Sequence, residues 1–123
     1  MPSIRVASFG FPRVLEPLIG PESNTAILIG ALQNPENFGP NGVVKCPVVF
    51  LEPVQTILTG SLVNPNGTLN ADMFFAGNSK VPLTASEAAE LAAFINAGGI
   101  VFVAGDSDPG EGLSYIHYFL HSK

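Results

Sequence analysis

Apolar residues fall into short runs separated by turn-forming residues, which is the pattern of strands and helices that follow one another along a chain. The run from Ile4 to Gly10 alternates apolar and polar side chains and predicts a first strand. Further strands are predicted at about 48–53, 72–77 and 100–104. The last run is apolar at every position, which is typical of a central strand covered on both faces.

Helical spacing of apolar residues predicts helices between and after these strands. The first runs from Ser23 or Asn24 to Leu32. Its apolar residues fall on one face: Ile27, Leu28, Ala31 and Leu32. A last helix is predicted over 112–121, whereas 54–63 fits either a short helix or an irregular turn.

The clearest helix follows the residues Thr84-Ala85-Ser86-Glu87, which form a capping box in sequence. The Thr84 hydroxyl can accept from the Glu87 amide, while the Glu87 carboxylate reaches back to the Thr84 amide. An apolar stripe follows, made by Ala88, Leu91, Ala92 and Ile95. The pair Gly98-Gly99 is a typical helix stop.

This order of elements predicts one α/β domain over 1–123. We expect a mostly parallel sheet of about four to five strands with helices on both faces, a doubly wound, flavodoxin-like arrangement. The pattern leaves the order of the strands open. Apolar residues make up 46% of the chain, which is enough to build a core.

Charge is scarce, since charged residues are only 12% of the chain against about 25% in average domains. A surface so poor in charge favours partial coverage, by self-association or by another protein. The net charge is −5, and the basic residues are scattered: Arg5, Arg13, Lys45, Lys80 and Lys123. Nucleic acid is therefore an unexpected partner, because phosphate binding needs clustered positive charge. No stretch approaches the ~20 apolar residues of a membrane span, so membrane insertion is not expected.

Cysteine and glycine usage argue against the common cofactors. The single cysteine, Cys46, excludes an internal disulfide and a Cys-rich metal site, and we expect it to be a small buried apolar residue. After the first strand, Phe11 and Pro12 would obstruct the approach of backbone to a pyrophosphate, which disfavours FMN and dinucleotides. No cofactor is expected. The first residues lack a secretion signal, which leaves a cytoplasmic protein or an excised extracellular domain.

Three segments together resemble a known family. They are Ala71-Asp72-Met73-Phe74-Phe75-Ala76-Gly77, Leu83-Thr84-Ala85-Ser86-Glu87 and Leu91-Ala92-Ala93-Phe94-Ile95-Asn96-Ala97-Gly98-Gly99-Ile100-Val101. Their course resembles the N-terminal half of class I glutamine amidotransferase-like domains, including non-catalytic relatives in trehalose-utilisation-type and bacterial surface proteins. The resemblance covers about residues 68–106 and implies a flavodoxin-like unit.

The catalytic residues of that family are not matched. Its nucleophile is a cysteine at a sharp turn after a later strand, whereas Cys46 precedes the second predicted strand. The downstream His and Glu have no counterpart before Lys123. The resemblance therefore does not imply amidotransferase activity, and it favours a non-catalytic binding or assembly module.

Ligands of open parallel sheets bind beyond the carboxyl ends of the strands. The polar residues expected at this rim are Asn78, Ser79, Asp106, Ser107 and Asp108. They are the candidate ligand-binding residues.

The segment Gly105-Asp106-Ser107 also resembles the first block of GDS-type esterases. That resemblance implies an alternative, a small serine hydrolase in which Ser107 attacks an ester with Asp106 and either His117 or His121 as partners. In the family this block lies near the N-terminus, with the Asp and His far downstream. A turn and helix cap is the favoured interpretation, because Ser and Asp are the preferred cap residues.

A second alternative is a cation site in the acidic turn, formed by Asp106, Asp108 and Glu111. Carboxylates two apart begin a calcium loop, but no acid stands near the twelfth position. The pair His117 and His121 shares one helix face, a spacing that suits zinc, yet a third ligand is not in reach. A solvated turn and a surface histidine pair are therefore favoured over metal sites.

Overall fold

A computed structural model describes residues 2–15, 17–20, 23, 26–77 and 79–103. The predictions for 104–123, including the last helix, lie outside the described residues. The described elements, in chain order, are β1 (Ile4–Ser8), α1 (Ala26–Gln33), β2 (Val48–Phe50), β3 (Met73–Gly77), α2 (Ala85–Asn96) and β4 (Ile100–Val103).

The four strands form one sheet in the order β2-β1-β3-β4, and every pair is parallel. Val6 of β1 pairs with Phe50 on one side and with Met73 on the other. The predicted α/β fold with a parallel sheet is therefore confirmed. The connection from β1 to β2 crosses the sheet in one direction, and the connection from β3 to β4 crosses it in the other. Because such connections are right-handed, α1 and α2 lie on opposite faces of the sheet. The direction of winding changes between β1 and β3, at whose carboxyl ends such folds bind ligands.

Both predicted ends of α2 are confirmed. The Thr84 hydroxyl accepts from the Glu87 amide at 3.1 Å, and the Glu87 carboxylate accepts from the Thr84 amide at 3.0 Å. At the other end, Gly98 has a φ of +105°, and Gly99 donates to the carbonyl of Phe94 at 2.8 Å. This is the Schellman pattern, which needs a residue free to adopt positive φ.

The core lies between α2 and one face of the sheet. Phe9 and Phe74 meet edge to face with their ring centroids 5.0 Å apart, and both are buried. From α2, the side chains of Ala88, Leu91 and Phe94 complete this layer and are fully buried. Of the apolar stripe predicted for α2, Ala88 and Leu91 are buried and Ala92 and Ile95 are half-buried, while the buried Phe94 lies outside that stripe.

The apolar face predicted for α1 is not buried in the structure. No residue of α1 is buried, and Ile27 is 92% exposed. The helix contacts β2 but has no second layer over it among the described residues. The helix predicted from the spacing is therefore confirmed, and the structure adds that its apolar side chains are open to solvent.

The central position predicted for 100–104 is also wrong within the described sheet. β4 is an edge strand there, and Ile100 and Phe102 on one of its faces are 59% and 51% exposed. Phe102 stacks on Phe75 of β3 with ring centroids 5.0 Å apart. An all-apolar strand is buried on both faces where helices cover both faces of its sheet. In the described part of the chain, the face of β4 that carries Ile100 and Phe102 has no such cover.

The second strand is shorter than its predicted range of 48–53. The chain nevertheless runs on beside β1, since Val54 donates to the Ser8 carbonyl and accepts from the Gly10 amide. Pro53 interrupts the ladder because it has no amide proton. The segment 54–63, for which two structures were open, is an irregular turn.

Candidate functional site

The chain after β1 folds back beside the end of β3. Phe11–Pro12 is a cis peptide, and Val14 forms an antiparallel bridge with Ser79. The Lys80 amide donates to the Arg13 carbonyl at 3.0 Å. Arg13 is thereby placed at the carboxyl ends of β1 and β3, next to the start of α2.

The guanidinium of Arg13 is held on several sides. It donates two parallel hydrogen bonds of 2.9 Å to the Glu87 carboxylate, and its Nε donates to the Ser79 hydroxyl at 2.7 Å. Nη1 also donates to the Gln55 carbonyl at 2.9 Å, and the group lies 4.3 Å from the centre of the Phe9 ring. With this set of partners, Arg13 serves as a buried crosslink rather than as a free anion receptor.

Glu87 is the centre of this cluster and is fully buried. Besides Arg13, its oxygens accept from the amides of Thr84 and Ile57, the latter at 3.1 Å. Burial alone would raise the pKa of this carboxyl, but the hydrogen bonds from Arg13, Thr84 and Ile57 outweigh it and hold the pKa below its usual value. Glu87 is therefore an ionised structural anchor.

Glu90 lies one turn further along α2 and holds the irregular segment 57–63. Its carboxylate accepts from the amides of Gly60, Leu62 and Val63, each at 3.0 Å. Burial opposes ionisation of Glu90, and these three amides more than offset it, so the pKa lies below its usual value. Two carboxylates of one helix thus replace the hydrogen bonds that a regular element would supply to this segment.

Of the predicted rim residues, only Ser79 is described. It is buried, its hydroxyl accepts from Arg13, and it donates to the Val81 carbonyl at 2.7 Å. Its role in the structure is to join β3 to Arg13. The other predicted site residues lie outside the described residues: Asn78, Asp106, Ser107, Asp108, Glu111, His117 and His121.

Sequence reasoning missed the roles of Arg13 and Glu90. Glu90 carried a signal, because it stands three residues after Glu87 and so on the same helix face as the capping carboxylate. Arg13 carried none beyond its charge, since its partners are 42 to 74 residues away in sequence.

The surface around this cluster is apolar. Phe11, Leu15, Val54 and Val81 are large side chains between 38% and 54% exposed, and they follow or flank the strand ends. Within the described ranges, no group of three or more His, Cys, Asp or Glu side chains is arranged to hold a metal ion. None of the described helices has the length and apolar character needed to cross a membrane.

Comparisons of the chain with family models, with curated proteins and with solved structures find no match.

Proposed function

We propose that this protein is a non-catalytic α/β module that works by association, and that its partner is a second copy of the same chain. One observation supports this most strongly: at the ends of β1 and β3 the polar groups of Arg13, Ser79 and Glu87 bond to each other, while large apolar side chains of the described residues face solvent. Exposed apolar surface marks interaction sites when it is contiguous.

The surface that fits a second copy is the outer side of α1 with the turn that follows it. Ile27 is 92% exposed and Leu28 47%, and Val43 in the nearby turn is 85% exposed. The turn is tied to the helix because the Asn37 side chain donates to the Ala31 carbonyl at 2.9 Å. We call the exposed apolar side chains of the helix and of this turn, Ile27, Leu28, Val43 and Val44, the α1 patch.

The distribution of charge permits a second copy to bind at the α1 patch. The chain carries a net charge of −5, so two copies repel each other wherever acidic surfaces meet. α1 contains no charged residue, and the alkyl side chains of the α1 patch add none. A two-fold contact here brings identical sets of apolar side chains together, as in the isologous interface of a homodimer.

The expected strength is modest. Burying the exposed parts of the α1 patch on both copies contributes about 10 kcal/mol, at roughly 1.5–3 kcal/mol for each large apolar side chain. Association costs about 4–15 kcal/mol in lost freedom of motion. At the lower end of that cost a surplus of about 6 kcal/mol remains, so we expect a reversible dimer with a Kd of roughly tens of micromolar or weaker, not a permanent one.

The family resemblance over 68–106 is compatible with this proposal. Non-catalytic members of the glutamine amidotransferase-like class supply the precedent for a flavodoxin-like unit without a nucleophile. The serine hydrolase and cation-site alternatives depend on residues of 104–123, and no observation in the described part of the chain favours either.

The test is a pair of variants that add the same charge at different places. Ile27→Glu puts a carboxylate in the α1 patch, whereas Leu58→Glu puts one on a 67% exposed leucine of the irregular segment. Sedimentation equilibrium at up to about 1 mM protein should show that Ile27→Glu abolishes the dimer and Leu58→Glu preserves it. Equal effects of the two variants would refute the α1 patch as the interface.

A further inference from the structure

A pocket of about 130 Å³ lies between the sheet and the irregular segment 54–62. Its floor is formed by Ala7 of β1, Leu51 after β2 and Phe74 of β3. Ile57 and Leu62 form the opposite wall. Ala7 and Ala71 both line the pocket, and larger side chains at these two positions would fill its space.

The outer wall of the pocket is held rigidly in place. Glu87 binds the Ile57 amide, and Glu90 binds the amides of Gly60 and Leu62. Hydrogen bonds to carboxylates are about twice as strong as neutral ones. The wall is therefore pinned to α2 and is not free to collapse onto the small residues of the floor.

Three of the described residues that line the pocket are polar, and two of them are already engaged. Ser61 donates to the Leu58 carbonyl at 2.6 Å. Asn70 donates to the Ser61 carbonyl at 3.0 Å and accepts from the Asn64 amide group at 2.9 Å. The third is Glu52, whose carboxylate has no hydrogen bond or ion pair with any described residue.

We propose that this pocket binds a small amphiphilic cation, with an apolar body about the size of a benzene ring and an ammonium or amidinium end at Glu52. An apolar protein cavity of about 150 Å³ is known to accept benzene, so the volume suits a ring of that size. Among the described lining residues, the one charge without a partner is the negative charge of Glu52, which selects a cation over an anion. This site is separate from the α1 patch and does not depend on self-association.

The binding test uses three probes that share a phenyl ring and differ in charge: benzylammonium, benzyl alcohol and phenylacetate. Methyl signals of the full chain are followed by NMR during titration to about 20 mM, which detects millimolar affinity. Benzylammonium should shift the methyl groups of Leu51, Ile57 and Leu62 and leave those of Leu91 unchanged. Unshifted pocket methyls, or phenylacetate binding as tightly as benzylammonium, would overturn the proposal.

Two charge-removing variants test the role of the carboxylate. Glu52→Gln should weaken benzylammonium about two- to fivefold, the effect expected of an exposed ion pair, and leave benzyl alcohol unchanged. Glu36→Gln removes the same charge from an exposed residue that does not line the pocket and should change neither. Equal weakening by both variants would show that net charge, not this site, attracts the cation.

Discussion

The buried pair of Arg13 and Glu87 offers a quantitative test of how the strand ends are organised. Glu87 is fully buried, and the Arg13 side chain is 9% exposed. Replacing either one leaves the other charge buried without its partner. Such a loss costs about 3–5 kcal/mol, whereas removal of both partners together is often nearly neutral.

The experiment is a double-mutant cycle of Arg13→Met, Glu87→Gln and the double variant, measured by urea unfolding. We expect each single variant to lose about 3–5 kcal/mol in the free energy of unfolding. For a chain of this size that corresponds to a fall in Tm of roughly 10–20 °C. The double variant should lose less than the sum of the singles by about 2 kcal/mol or more, because no orphan charge remains.

Additive losses below about 1 kcal/mol each would refute the reasoning, because they are the behaviour of a solvent-exposed pair. A loss confined to Glu87→Gln would point instead to the amides of Thr84 and Ile57 as the main partners of that carboxylate.

Two further predictions concern stability. Because the pKa values of Glu87 and Glu90 are lower in the folded than in the unfolded chain, their contribution is complete above about pH 5 and is lost as the pH falls through the folded values. The Tm should therefore drop on acidification below pH ~4.5, and a flat Tm from pH 6 to 3 would contradict this. Gly99→Ala should lower stability by about 1–3 kcal/mol, because the added methyl would clash with the Phe94 ring. Gly30→Ala, with open space around it in α1, should instead raise stability by about 0.5–1 kcal/mol, and a reversed order in thermal melts would overturn this account of the two glycines.

Local signals in the sequence predicted the elements well. The capping box at Thr84 and the Gly98-Gly99 stop fixed both ends of α2, because caps depend on residues close together in the chain. The four strands were also found, and their parallel arrangement follows from the helices and the long segment between them.

Burial and long-range pairing were less predictable. Ile27 and Phe102 belong to apolar runs typical of a core, yet they face solvent. The spacing of apolar residues shows which side chains share a face, but it does not show whether another element covers that face. The partners of Arg13 lie on three other segments, so only the fold brings them together. The pocket depends on Glu87 and Glu90 of α2, which hold the irregular segment 54–62 in place. No sequence motif marks such an arrangement.

Self-association is the central claim, and sedimentation equilibrium of the unmodified chain tests it most directly. From about 10 μM to 1 mM, the range set by the expected affinity, the average mass should rise from 12.8 kDa toward twice that value and reverse on dilution. A mass that stays at 12.8 kDa throughout would contradict the claim.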